Sequence, residues 1–223
     1  MNYFFRCGSF GNGTSITAHS DVDTIASIPA SGLKTNSGTM LSEVRGALAT
    51  RFPNTGVVTN CPAIRVPFGS SISETTEVVP ARYLTSTSNH QSVYEIADGS
   101  GGWKITSPEA HNAYVREVDA KLGGKVKPLI RFLKAWKYYR DVPISSFYLE
   151  MRAAKYAAGE SSIVYDIDLK ILLGQLHDGG LAAMQDPLGI FGYIYACATD
   201  AKKEDAKSKL ATAYTRAIKG YLF

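Results

Sequence analysis

A chain of 223 residues with 45% apolar side chains carries enough hydrophobic material for one large domain or two lobes, and nothing in its composition suggests extended disorder. Its net charge of +4 is modest and spread along the chain, which excludes a strongly basic nucleic-acid tract. The three cysteines, Cys7, Cys61 and Cys197, form no CxxC pair and suit reduced thiols in a cytoplasmic protein. No signal segment is visible, and no run reaches the roughly 18 apolar residues that a membrane helix needs.

In chain order, a first strand is expected at about Tyr3 to Cys7. A Gly-Ser turn follows, with Gly11 and Gly13 keeping the next bend tight and open. Gly8 has no side chain to block a close approach, and Ser9 offers a hydroxyl and a backbone N–H, a combination suited to phosphate oxygens. Eleven residues, 10 to 20, then separate Ser9 from Asp21-Val22-Asp23. Successive side chains on a strand alternate faces, so Asp21 and Asp23 share one face while Val22 points away. Two carboxylates that close ask for a cation between them, and an all-oxygen pair argues for Mg²⁺ or Mn²⁺ rather than zinc. His19 reads as a hydrogen-bonded loop residue.

A helix is expected from Ser37 to about Phe52, where Met40, Leu41, Val44, Leu48 and Phe52 recur at helical spacing behind Ser and Thr cap candidates. Short strands are expected at 56–60, 63–68, 75–79, 92–96 and 103–105, and the Ser-, Gly- and Asn-rich stretch 89–102 is expected to be mobile. Arg65 is a strand charge without an assigned role. Glu77 is the preferred third carboxylate, with Glu74 near enough to compete. Beyond Ser107-Pro108-Glu109, a cap with a first-turn proline, helices are expected to about Leu122, over Val126 to Tyr139, Ser145 to Ala158, Val164 to Leu176 and Lys202 to Leu222. The chain thus divides into a β-rich part, 1–106, and a helical part, 107–223.

Gly8-Ser9, the eleven-residue gap and Asp21-Val22-Asp23 together resemble the signature of the polymerase β-type nucleotidyltransferase superfamily. The wider form Gly-Ser-Phe-Gly-Asn-Gly-Thr…Ser-Asp-Val-Asp resembles the CD-NTases, the bacterial cGAS-like enzymes, more closely still. That family carries a third acid in a motif ending Asp-Val-Val-Pro-Ala, and Thr76-Glu77-Val78-Val79-Pro80-Ala81 occupies its place with glutamate for aspartate. Pro128 to Lys137, Ile144 to Glu150 and Gln185-Asp186-Pro187-Leu188-Gly189 are similar to the helical half of the same family. The resemblance runs from residue 5 to about 220. Relatives usually place a helix before the first strand, so the chain is either a natural short form or begins late.

The resemblance implies an α+β fold, in which a polymerase β-like palm of mixed sheet and helices precedes a helical lobe, with the active site in the cleft between them. It implies Asp21, Asp23 and Glu77 as catalytic and metal-binding residues, and Gly8, Ser9, Lys134 and Ser146 as triphosphate contacts. Lys137 has nearly the same claim as Lys134. Phe147 would stack on the base, or serve as a helix core residue. The implied activity is metal-dependent synthesis of a cyclic di- or trinucleotide messenger from nucleoside triphosphates, in antiphage defence. The alternatives are nucleotidyl transfer to an RNA end, a small molecule or a protein, and a non-catalytic nucleotide-binding antitoxin or regulatory module. Nucleoside triphosphates are the expected partners, with room for a regulatory protein and none for a membrane or strong nucleic-acid binding.

Overall fold

The computed structural model describes residues 4–17, 19, 21–69 and 74–221. The chain divides into two compact units, Met1–Asn112 and Ala113–Phe223.

The first unit is built on a sheet of seven strands. They are β1 (Phe4–Arg6), β2 (Val22–Ser27), β3 (Val58–Asn60), β4 (Ala63–Phe68), β5 (Glu74–Ser86), β6 (Ser92–Ala97) and β7 (Trp103–Thr106). The order β1-β2-β5-β4-β3 places β5 between β2 and β4, and β6 joins β5 farther along, with β7 outside it. β2 and β5 run parallel; the other pairs are antiparallel. Alternation sorts the side chains. Ile25, Ala63, Val79 and Ala81 form one core with Cys7, Tyr94 and Ile96. Ile64 and Val66 point the other way, against Leu41, Val44 and Leu48 of α2 (Ser37–Arg51). Full burial of each such aliphatic side chain contributes about 1.5–3 kcal/mol.

Several local expectations are revised. The Gly-Ser turn is the start of a one-turn helix, α1 (Gly8–Asn12), closed by Gly13 in the left-handed region. The cap of α2 is Asn36, whose side chain accepts from the Thr39 N–H, rather than a serine or threonine. β5 continues through Pro80 to Ser86, because Pro80 falls where its antiparallel partner changes. β4 pairs as far as Val78 and β6 from Ala81, so no ladder bond on that edge needs the missing N–H. The stretch 89–102 holds β6 and a tied turn, in which the Asp98 carboxylate accepts from the N–H groups of Ser100 and Gly102. Tyr3 and Leu222, the expected limits of the first strand and last helix, lie outside the described residues.

A helix α3 (Pro108–Lys121) carries the chain from the first unit into the second, which contains α4 (Val126–Tyr139), α5 (Ser146–Ala157), α6 (Tyr165–Asp178) and α7 (Asp200–Ile218). In α4, Val126, Leu129, Ile130, Leu133 and Trp136 form the buried stripe that a 3.6-residue period dictates. Its N-terminus is capped from a distance, since the Asp119 carboxylate accepts from the N–H groups of both Val126 and Lys127 at 2.9 Å. A two-stranded ribbon, β8 (Met184–Gln185) with β9 (Tyr193–Ile194), was not foreseen. Asp186 shapes the loop between them: it is buried, and its carboxylate accepts from Leu188 at 3.2 Å, Ile190 at 3.0 Å and Phe191 at 2.9 Å. Among the described residues no helix is long and apolar enough to cross a membrane.

Candidate active site

The acidic face is assembled by strand register. β2 and β5 pair in parallel with Asp23 opposite Glu77, and β4 pairs antiparallel with β5 so that Arg65 stands opposite Glu77 on its other side. Directly opposed residues share a sheet face. Asp21 lies two positions before Asp23, just ahead of β2, and alternation returns it to the face of Asp23. Glu74 is an odd number of positions from Glu77, so it faces the other side, opposite Phe68.

Behind Asp23 lies the start of α1. The Cys7 N–H donates to the Asp23 carbonyl at 2.8 Å, which ties the end of β1 to β2. Gly8 follows at φ +56°, and a methyl group there would lie 2.0 Å from Asp23 Oδ2. Glycine is therefore required twice over, by backbone conformation and by space. Ser9 is half-buried, and its carbonyl accepts from the Thr14 N–H at 2.9 Å. Cys7 is buried, and burial, with the Asp23 charge second, pushes its thiol up to about 12.

The third carboxylate departs from expectation. Glu77 Oε1 accepts from Asn60 Nδ2 at 2.8 Å. Asn60 is on β3, beyond β4, on the opposite side of β5 from β2. The Glu77 carboxylate therefore reaches away from the aspartates, although its backbone is in register with Asp23. Among the described residues no three His, Cys, Asp or Glu side chains gather into a group that could hold a metal ion. The expected convergence is met by the backbone and not by the side-chain ends, because glutamate is long enough to find another partner.

Around Asp21, loss of hydration raises the carboxyl above its ordinary range, and the positive charge of Arg65 partly offsets the rise. Arg65 and Asn60 thus border the acidic face; the sequence leaves Arg65 without a role and does not single out Asn60. The donors of Asp21 and Asp23 are all oxygen, and the Asp23 carboxylate occupies a cradle over Gly8 that a Cβ would fill. That donor chemistry fits a hard divalent cation.

In the second unit, Lys134 is fully buried on α4, with Nζ 3.9 Å from Glu150 Oε2 on α5. Lys137, one turn on, donates to Ser146 Oγ at 2.6 Å, and the Tyr138 hydroxyl lies 3.3 Å from the same oxygen. Burial and the charge of Lys134 lower the Lys137 ammonium below its ordinary range. Ser146 opens α5 just after its cap, Ser145. Phe147 packs edge-on against Phe191, ring centroids 6.2 Å apart, at the margin of the helical core.

A family model described as Second Messenger Oligonucleotide or Dinucleotide Synthetase domain matches residues 1–119. The chain belongs to this synthetase family. Among curated proteins, a probable cyclic nucleotide synthase of Bacillus cereus (strain VD146) is 39% identical over 74 residues, which are 33% of this chain and 22% of that protein. The match thus spans about a fifth of that relative's length. Solved structures of similar fold include the CdnE cyclic dinucleotide synthase of Elizabethkingia meningoseptica with GTP and Apcpp, at a TM-score of 0.72 and 20% identity, over 99% of this synthetase-family chain and 85% of that one. CdnC of E. coli MS115-1 with ATP superposes at 0.75 and 16% identity, over 96% and 76% of the two chains. A Vibrio cholerae DncV mutant in complex with ATP and GTP superposes at 0.71 and 15% identity, over 98% and 65%. The α+β architecture, a polymerase β-like palm followed by helices, is the fold of these enzymes.

Proposed function

We propose that this chain is a metal-dependent nucleotidyltransferase that joins nucleoside triphosphates into a cyclic di- or trinucleotide messenger of bacterial antiphage defence. The observation that carries the reading is the register of Asp23 with Glu77, beside a glycine where any side chain would collide with the Asp23 carboxylate. Membership of the synthetase family and the named activity of the Bacillus cereus relative support it.

Asp21 and Asp23 would hold Mg²⁺ or Mn²⁺, and Glu77 would join them on leaving its Asn60 partner. When bound, such an ion neutralises triphosphate charge and lowers the pKa of an attacking hydroxyl. The protein's own groups contribute placement and charge. Gly8 keeps the Asp23 carboxylate seated, and Ser9 offers its hydroxyl and N–H to phosphate oxygens. Ser146 with Lys137 forms a second polar cluster suited to the same chemistry, Lys134 being fully buried beside Glu150 instead, and Phe147 offers a ring edge for a base. The E. coli CdnC solved as a complex with a HORMA protein supports a regulatory protein among the partners.

The test is incubation of purified protein with each α-labelled nucleoside triphosphate plus Mg²⁺ or Mn²⁺. The expected product is small and phosphatase-resistant, and it disappears in Asp21→Asn/Asp23→Asn. A labelled macromolecule instead would assign transfer to another acceptor. Unchanged turnover by the double variant would refute the site.

A further inference from the structure

Glu77 stands on β5 with a like charge on one flank and a hydrogen-bond donor within reach on the other. On one side is Asp23 of β2; on the other, Arg65 of β4 stands opposite, and Asn60 of β3 lies diagonally beyond it, past Ala63. Neighbouring strands lie about 4.8 Å apart, so β3 is nearly 10 Å from β5. Glutamate and asparagine bridge that gap together, with Oε1 and Nδ2 at 2.8 Å. A side chain one methylene shorter than glutamate would fall short of this bond. Alternation puts Asn60 on the same face, since it pairs with Ala63, two residues before Arg65. The bond is therefore a specific cross-sheet contact, 17 residues apart in sequence, and not a local turn.

We propose that Asn60 is a positioning residue for the acidic site, holding the Glu77 carboxylate off Asp21 and Asp23 so that it joins a bound divalent ion only when this hydrogen bond breaks. The inference rests on the metal reading above and adds a condition to it. The third carboxylate joins only after exchange of one partner for another. Asn60 thereby sets the affinity of the site for its ion, without touching substrate or the reacting atoms.

The test is titration of Mn²⁺ alone into the full chain, following free Mn²⁺ by electron paramagnetic resonance. Asn60→Ala removes the competitor and is expected to tighten Mn²⁺ binding by about two- to tenfold, the usual range for loss of one net hydrogen bond. Asn60→Ser, polar but too short to reach, is expected to do the same. In a Glu77→Gln background the effect of Asn60→Ala should vanish, because no carboxylate remains to be released. Equal Mn²⁺ affinity in wild type and both Asn60 variants overturns this inference alone, as does a tightening that persists with Gln at 77. Mn²⁺ binding that survives Asp21→Asn/Asp23→Asn unchanged, or no uptake by wild type, overturns the metal reading, and the inference falls with it.

Discussion

Gly8→Ala is the sharpest perturbation the acidic face offers. The added methyl would lie 2.0 Å from Asp23 Oδ2, well inside van der Waals contact, on a backbone at φ +56°. Holding a residue other than glycine in the left-handed region costs about 1–2 kcal/mol. Pushing the Asp23 side chain off its rotamer adds about 0.5–1.5 kcal/mol. The expected loss is thus about 1.5–3.5 kcal/mol, read from urea denaturation followed by circular dichroism. If Asp23 serves the reaction as proposed, displacing its carboxylate by about an ångström should also cut nucleotide turnover by about a hundredfold. Gly46→Ala supplies the contrast. Gly46 lies inside α2 with open space where its Cβ would be, so the same substitution should stabilise by about 0.5–1 kcal/mol with turnover unchanged. A Gly8→Ala protein with wild-type urea midpoint and wild-type turnover would mean that Asp23 does not rest against Gly8.

Asp186→Ala should destabilise the helical unit by about 3 kcal/mol, because three backbone N–H groups lose a buried charged acceptor; an unchanged urea midpoint would contradict the structure. Cys7 should resist a disulfide reagent in the native protein while exposed Cys61 reacts, and should react only after denaturation. The folded protein holds the Cys7 proton more tightly than the unfolded chain, from 9.0 up to about 12. This contribution is therefore intact below about pH 9 and is lost as pH rises from 9 towards 12, which Cys7→Ala should abolish. Equal alkaline slopes for the two proteins would count against that assignment.

What the sequence reveals depends on the range of the interaction that fixes each element. α4 is legible to the residue because its apolar stripe repeats every three or four positions and Gly123-Gly124 stops the helix before it. β4 is likewise bounded by local turn chemistry. The continuation of β5 beyond Pro80 is hidden, because it depends on where β4 stops and β6 begins. α1 is masked by its glycines, and the two-residue strands β8 and β9 are too short for any period. At the acidic face, the spacing of Asp21 and Asp23 announces a shared side, and the register places Glu77 beside Asp23. Arg65 and Asn60 could not be found from spacing, since only cross-strand register brings them there. The pairing of Lys137 with Ser146 was equally out of reach, because helical periodicity alone leaves Lys134 and Lys137 with similar claims.

The parallel alignment of β2 with β5 has a consequence for how the protein is made. Asp23 and Glu77 are 54 positions apart in the numbering, and no hairpin can bring parallel neighbours together, so the intervening helix and antiparallel strands must be threaded first. A nascent chain that has emerged only as far as β4 holds both aspartates yet lacks the strand that flanks them. Under the proposed function, a polypeptide stopped short of β5 would carry the aspartates without their third acid.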